Sequence, residues 1–180
     1  MNIIEVIKWK PFVDEKGTIW DLSFLDAHEV IYIHQSEGKS DLEYRFFVTY
    51  SMHCFTKEYS SQSKDEKNAL MYNSTKESRP FCRIRYELAK CYLKKTIFSL
   101  DEQFICHAGY GSYAIIDTLN GKNEVCYYYV PFRVFREKKK FRIHVTSAYP
   151  VDSKLPKGKV GFFRIAYNLF NGKTLPIPPK

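Results

Sequence analysis

The chain has no Cys-x-x-Cys pair, no nucleophile-elbow pattern and no apolar run approaching the roughly 20 residues that a membrane helix requires. These absences set aside thiol-redox motifs, the α/β-hydrolase arrangement and a membrane-spanning helix. The five cysteines, Cys54, Cys82, Cys91, Cys106 and Cys126, are odd in number and lie inside apolar runs, as thiols in a reducing compartment do. Metal chelation lacks its usual spacing too. His53 and Cys54 are adjacent, as are Cys106 and His107, so on a strand each pair points to opposite faces. Gly109-Tyr110-Gly111 lacks the third glycine and the following helix of a dinucleotide loop. No metal and no cofactor are therefore expected. The start, Met-Asn-Ile-Ile-Glu-Val-Ile-Lys-Trp-Lys, has no basic region leading into a long apolar stretch, which makes a cytoplasmic protein the expectation.

Methionine, glycine and proline are also sparse, at 3, 8 and 8 of 180 residues, whereas Tyr and Phe number 14 each. Aromatic and β-branched side chains pack well on pleated surfaces, so this balance predicts a sheet-rich single domain over residues 1–180. The 28 Lys+Arg against 20 Asp+Glu give a net charge of +8, with the excess late in the chain. A polyanion such as RNA is the partner that charge favours, though solubility alone also uses it.

The clearest strand pattern runs from Asn123 to Pro150, two β-rich runs joined by the charged connection Glu137-Lys138-Lys139-Lys140. In its second run Arg142, His144 and Thr146 alternate with Phe141, Ile143 and Val145. A second hairpin is predicted from His28–His34 through Ser36-Glu37-Gly38-Lys39 to Leu42–Cys54. There Tyr44, Phe46, Val48 and Tyr50 take one face, and Arg45, Phe47, Thr49, Ser51 and His53 the other. One amphipathic helix is predicted over 84–98, with Tyr86, Ala89, Leu93 and Ile97 on its apolar side. Residues 57–79, rich in Ser, Lys, Glu and Asn, read as a long mobile surface loop, and 174–180 as an extended tail. The segment 160–170 reads as a last strand, because it is short and aromatic, with a helix as the alternative. The fold class is thus α+β, a mainly antiparallel twisted sheet packed on one amphipathic helix.

The candidate chemistry is metal-free acid and base work. His53 and His144 offer imidazoles on predicted strands, and Arg85 and Tyr149 offer a cation and a phenol to stabilise a phosphorane. Arg83, Arg142, Lys138, Lys139, Lys140 and Ser147 are the candidate nucleic-acid contacts. Each has a plainer alternative: His53 as a strand cap, His144 as a surface residue, the lysine run as a solvated turn, the aromatics as core.

The run Phe-Arg-Ile-His-Val-Thr-Ser-Ala-Tyr-Pro, closing at Tyr149 and Pro150, resembles the late strand of the barnase, EndoU, colicin and RelE group of RNase toxins. In that group a Ser/Thr-x-Tyr step ends a strand facing the RNA, a role the resemblance gives to Ser147 and Tyr149. It implies an RNA-directed cytoplasmic protein, a metal-independent endoribonuclease of toxin type, with RNA as partner and a protein partner or antitoxin beside it. The pleat sets Arg142 and His144 on the face opposite Ser147 and Tyr149 unless a bulge intervenes. The alternative function is a non-catalytic phage or plasmid accessory protein that binds a host protein or nucleic acid. A cysteine-based redox enzyme ranks third.

Overall fold

The hairpin expected at the front of the chain forms as β3 (His28–His34) against β4 (Leu42–Tyr50), antiparallel from His28↔Val48 to His34↔Leu42. Its turn uses Gly38 at φ 71°, a left-handed conformation that glycine adopts without strain. This is a computed structural model, and it describes residues 3, 5–75, 77–103, 105–109, 112–120, 125–152 and 158–177.

Ahead of the hairpin lie two short paired strands, β1 (Phe12–Val13) and β2 (Ile19–Trp20). After β4 the chain departs from the loop expected over 57–79. It forms α1 (Lys64–Ala69) and the hairpin of β5 (Met71–Asn73) and β6 (Ser78–Pro80). The local cause is a capping box, in which Ser63 accepts from the Glu66 backbone and the Glu66 side chain accepts from the Ser63 backbone. The hairpin is then anchored by Tyr72, whose ring meets Phe55 edge-on at 5.0 Å and whose hydroxyl donates to the Lys10 carbonyl. Trp9, Phe12, Trp20, Phe81 and Tyr86 extend this aromatic cluster.

The predicted helix is present as α2 (Arg83–Leu88), a π-helical stretch (Ala89–Leu93) and α3 (Lys94–Phe98) in direct succession. Tyr86, Ala89, Leu93 and Ile97 are buried, as their spacing requires, and Tyr32 of β3 donates to the Ile97 carbonyl near the helix end. The meander follows as β7 (Ile105–Gly109), β8 (Ser112–Asn120), β9 (Val125–Glu137) and β10 (Lys140–Val145). Then come β11 (Tyr149–Val151), β12 (Lys159–Val160) and α4 (Phe162–Phe170).

That last helix corrects the strand expected over 160–170. Phe162, Ile165, Ala166 and Leu169 recur at helical spacing and all are buried, with Phe162 against Tyr32 and Phe46. Aromatic content favoured a strand; the seat on the sheet decides for a helix. The tail is irregular over 173–177 but docked, since Tyr113 donates to the Pro176 carbonyl and Asn168 to the Thr174 carbonyl.

The main sheet runs β12-β7-β8-β9-β10-β4-β3, with β11 also on β9. All its pairings are antiparallel except β10 with β4, which is parallel. The fold is α+β. One sheet face packs Val30, Tyr32, Phe46, Val48, Val130, Phe132, Ile143 and Val145 into the core with the Arg83–Phe98 helix and α4. The other carries Arg45, Phe47, Arg133, Phe135, Arg142 and His144.

Candidate functional site

The end of β4 determines where the candidate residues meet. Past Tyr50 the chain leaves the ladder as Ser51 N–H donates to the Val145 carbonyl, and the Ser51 hydroxyl accepts from the His53 N–H at 3.3 Å to start a 3-10 turn. This presents the His53 carbonyl inward and its imidazole outward. Arg85, one turn into α2, donates from Nη1 to the His53 carbonyl at 2.7 Å and to the Thr56 carbonyl at 3.0 Å. The Ser147 hydroxyl donates to the same His53 carbonyl at 3.3 Å. The Arg85 guanidinium also lies 5.1 Å from the centre of the Tyr149 ring, a cation over a π face. His53, Arg85, Ser147 and Tyr149, far apart in sequence, thus converge.

A register step brings Tyr149 there. Val145 pairs with Phe132 on β9, whereas Tyr149 pairs with Tyr129, so four residues on one strand face three on the other. That is a one-residue bulge, and it reverses the pleat between Val145 and Tyr149. Tyr149 then stands across from Tyr129, the rings 5.4 Å apart and edge-on.

The His53 imidazole has a carboxylate partner that the sequence reading missed. Nε2 lies 3.3 Å from Glu77 Oε1, and Arg79 Nη1 lies 3.6 Å from the same oxygen. Burial, then Arg79, hold the His53 pKa below its usual value against the opposing pull of Glu77. A neutral imidazole beside a carboxylate donates its Nε2 proton, which leaves Nδ1 with a free lone pair. Glu77 and Arg79 lie in the segment read as loop; the Ser63-x-x-Glu66 capping box was the signal that it is built.

Arg85 carries the charge of this place. Burial lowers its pKa, but a guanidinium stays charged at neutral pH, and among the described residues no carboxylate reaches it. Its Nε is buried without a partner among the described residues. Two phenols and two thiols surround it. The Tyr59 hydroxyl is 3.6 Å from Cys82 Sγ, and burial pushes the Cys54 thiol up to about 12, so Cys54 stays protonated.

His144 and Arg142 form a separate group. His144 is 5% exposed, its Nδ1 2.9 Å from Thr49 Oγ1, which in turn donates to Glu5 Oε1 at 3.1 Å. Because the threonine has one proton and gives it to the carboxylate, His144 donates from Nδ1. Burial, then Arg133, lower its pKa to about 4. Arg142 lies 3.4 Å from Glu137, 3.7 Å from Glu5 and 4.6 Å above the Phe47 ring, so its charge is answered within the chain.

The remaining candidates sit apart again. Lys138 and Lys139 form the two-residue β9–β10 turn at φ 47° and 65°, followed by Lys140, all exposed. Lys139 and Lys140, with Glu29, Glu43, Arg45, Phe47 and Phe141, line a shallow groove of about 260 Å³. Arg83 is exposed, 3.8 Å from Glu87 and 5.5 Å from the Trp20 ring. Among the described residues no three His, Cys, Asp or Glu side chains group to hold a metal, and no helix is long and apolar enough to cross a membrane.

Residues 10–170 match the YjaZ family model. The chain belongs to the YjaZ family. It is 56% identical over 176 residues to Protein YjaZ of Escherichia coli (strain K12), an alignment covering 98% of each chain. No solved structure matches it. The matched span runs from Lys10 to Phe170, so every residue of the His53, Glu77, Arg79, Arg85, Ser147 and Tyr149 group lies within the YjaZ region, whereas Glu5 precedes it.

Proposed function

We propose that this YjaZ-family protein is an RNA-directed protein acting in the cytoplasm, with the Arg85 group as its phosphate contact. The observation that carries this reading is the half-buried Arg85 guanidinium, stacked on Tyr149 beside the His53–Glu77 pair and answered by no carboxylate among the described residues. Such a place holds net positive charge next to an aromatic face, which suits a phosphate and its neighbouring base. The Lys138–Lys140 turn adds an outlying cationic contact, and the likeness of the Thr146–Tyr149 step to the RNase toxins points the same way. A protein partner or antitoxin would act by covering this surface.

The His53–Glu77 pair favours one chemistry within that reading, metal-independent cleavage. His53 Nδ1 takes the proton of a ribose 2′-OH, and the 2′-oxygen attacks phosphorus. Arg85 steadies the phosphorane, and the Tyr149 hydroxyl gives its proton to the departing 5′-oxygen. A 2′,3′-cyclic phosphate and a 5′-hydroxyl result. Burial raises the Tyr149 pKa, so it holds the proton this step needs.

The test uses labelled single-stranded RNA, with anisotropy for binding and gels for cleavage. Wild type should bind, and His53→Ala and Tyr149→Phe should cut about 100-fold more slowly while still binding. Binding without cleavage by wild type would leave the non-catalytic alternative. An absence of binding at low salt would remove RNA from the account.

A further inference from the structure

The sheet ends at β3, and nothing among the described residues pairs with its outer edge. Natural edge strands are usually blunted by lysine, proline or a bulge. β3 reads His-Glu-Val-Ile-Tyr-Ile-His, contains none of these residues, and pairs with β4 without a break in register. Both sides of this edge are open and mostly apolar, with Glu29 the one charged side chain on the outer face. Ile31 and Ile33, 43% and 48% exposed, stand on the outer face. On the helix side Phe98, 49% exposed, stacks on His28 with ring planes 9° apart, and Leu42, 51% exposed, lies across from His34.

We infer that β3 pairs with β3 of a second copy of this chain, antiparallel about a two-fold axis at Ile31. The strand is its own complement in that register. His28 falls opposite His34 of the other copy, Glu29, which keeps its ion pair with Arg45, opposite Ile33, Val30 opposite Tyr32, and Ile31 opposite its equivalent, so every residue of the strand is used. The two ends match as well. The Phe98 end of one copy meets the Leu42 end of the other, which joins the two exposed apolar residues on the helix side.

Charge selects the same partner. The turn beyond His34 carries Glu37 and Asp41 against Lys39, with Glu43 just inside β4, whereas at the His28 end Asp26 accepts from the Trp9 N–H and Glu29 lies 3.5 Å from Arg45, leaving Lys94 and Lys95 exposed at the start of α3. Lys94 is close enough to His28 to help lower its pKa, after burial. Antiparallel pairing sets each acidic turn beside the lysines of the other copy, twice per dimer. A parallel pairing would put like ends together. The inference does not depend on the RNA reading, since β3 supplies no residue to the Arg85 group.

Sedimentation equilibrium across a hundredfold range of concentration, with amide exchange of residues 28–34, tests this. The wild-type mass should rise from 21.3 kDa to twice that value, with the β3 amides slowing as it does. Ile31→Lys and, separately, Ile33→Lys should hold the mass at one chain. Ile84→Lys, at an exposed apolar position on α2, should leave the doubling intact. A wild-type mass of one chain throughout overturns the inference. So does a dimer that survives both β3 lysines, or β3 amides equally slow at every concentration, which would mean the chain covers its own edge.

Discussion

His144 and His53 are both held below the ordinary histidine range, but only one of them faces solvent. His144 is closed in by Thr49 and Arg133, so in the folded chain it takes a proton only near pH 4, while in the unfolded chain it does so near pH 6.5. Between those values the unfolded state binds more protons, so stability is full above pH 6.5 and falls as pH drops toward 4. The slope reaches about 1.4 kcal/mol per pH unit. His144→Gln should flatten the urea midpoint over that window; a slope equal to wild type would assign the acid sensitivity to another group. Arg85 is a structural residue as well as a candidate contact, because two carbonyls rely on its Nη1. Arg85→Met should cost about 3 kcal/mol by denaturant unfolding, since each charge-assisted bond is worth roughly 1.5–3 kcal/mol. Arg85→Lys should recover part of that loss, as an ammonium can still reach one carbonyl. If the lysine variant lost as much as the methionine variant, the guanidinium stack on Tyr149 would be the larger contribution.

Elements were legible where one period ran undisturbed. The β3–β4 hairpin, the β9–β10 hairpin and the helix begun by Arg83 each show a single repeat, with Tyr44, Phe46, Val48 and Tyr50 at spacing 2 and Tyr86, Ala89 and Leu93 near 3.6. α4 was misread because Phe162, Phe163, Tyr167 and Phe170 raise β propensity while the helical spacing of Phe162, Ile165 and Leu169 spans only two turns. Its stability is tertiary, so Phe162→Ala, which empties the space against Tyr32 and Phe46, should cost about 3–5 kcal/mol by urea unfolding. A cost below 1 kcal/mol would show that α4 is held elsewhere along its length. The candidate site was half legible. Arg85, His53, Ser147 and Tyr149 could be named, but the bulge after Val145 and the seating of Glu77 on His53 arise from pairings between distant segments, which no local repeat encodes. Nor could the parallel pairing of β10 with β4 be read, since the two strands lie nearly 100 residues apart.

At the scale of the whole molecule the net charge of +8 matters only through the cations left free. Arg142, Arg79, Lys67 and Arg45 are each within 4 Å of a carboxylate, which cancels much of their pull on a distant phosphate. Among the described residues the exposed Lys138–Lys140 turn sets three consecutive cations with no carboxylate within 4 Å. Binding to single-stranded RNA releases about 0.7 counterion per phosphate neutralised, so three lysines should contribute roughly 2 to the slope of log affinity against log salt. The turn allows a clean replacement. With both Lys138 and Lys139 at positive φ, Asn and Gly suit it better than the native residues, and threonine suits a strand at 140. Lys138→Asn, Lys139→Gly and Lys140→Thr together should therefore leave the urea midpoint equal or higher while lowering the salt slope by about 2. The affinity lost at 50 mM salt should largely vanish by 200 mM, where these contacts are already screened. A triple variant with unchanged slope would confine RNA to the Arg85 group and return the lysines to the role of a solvated turn.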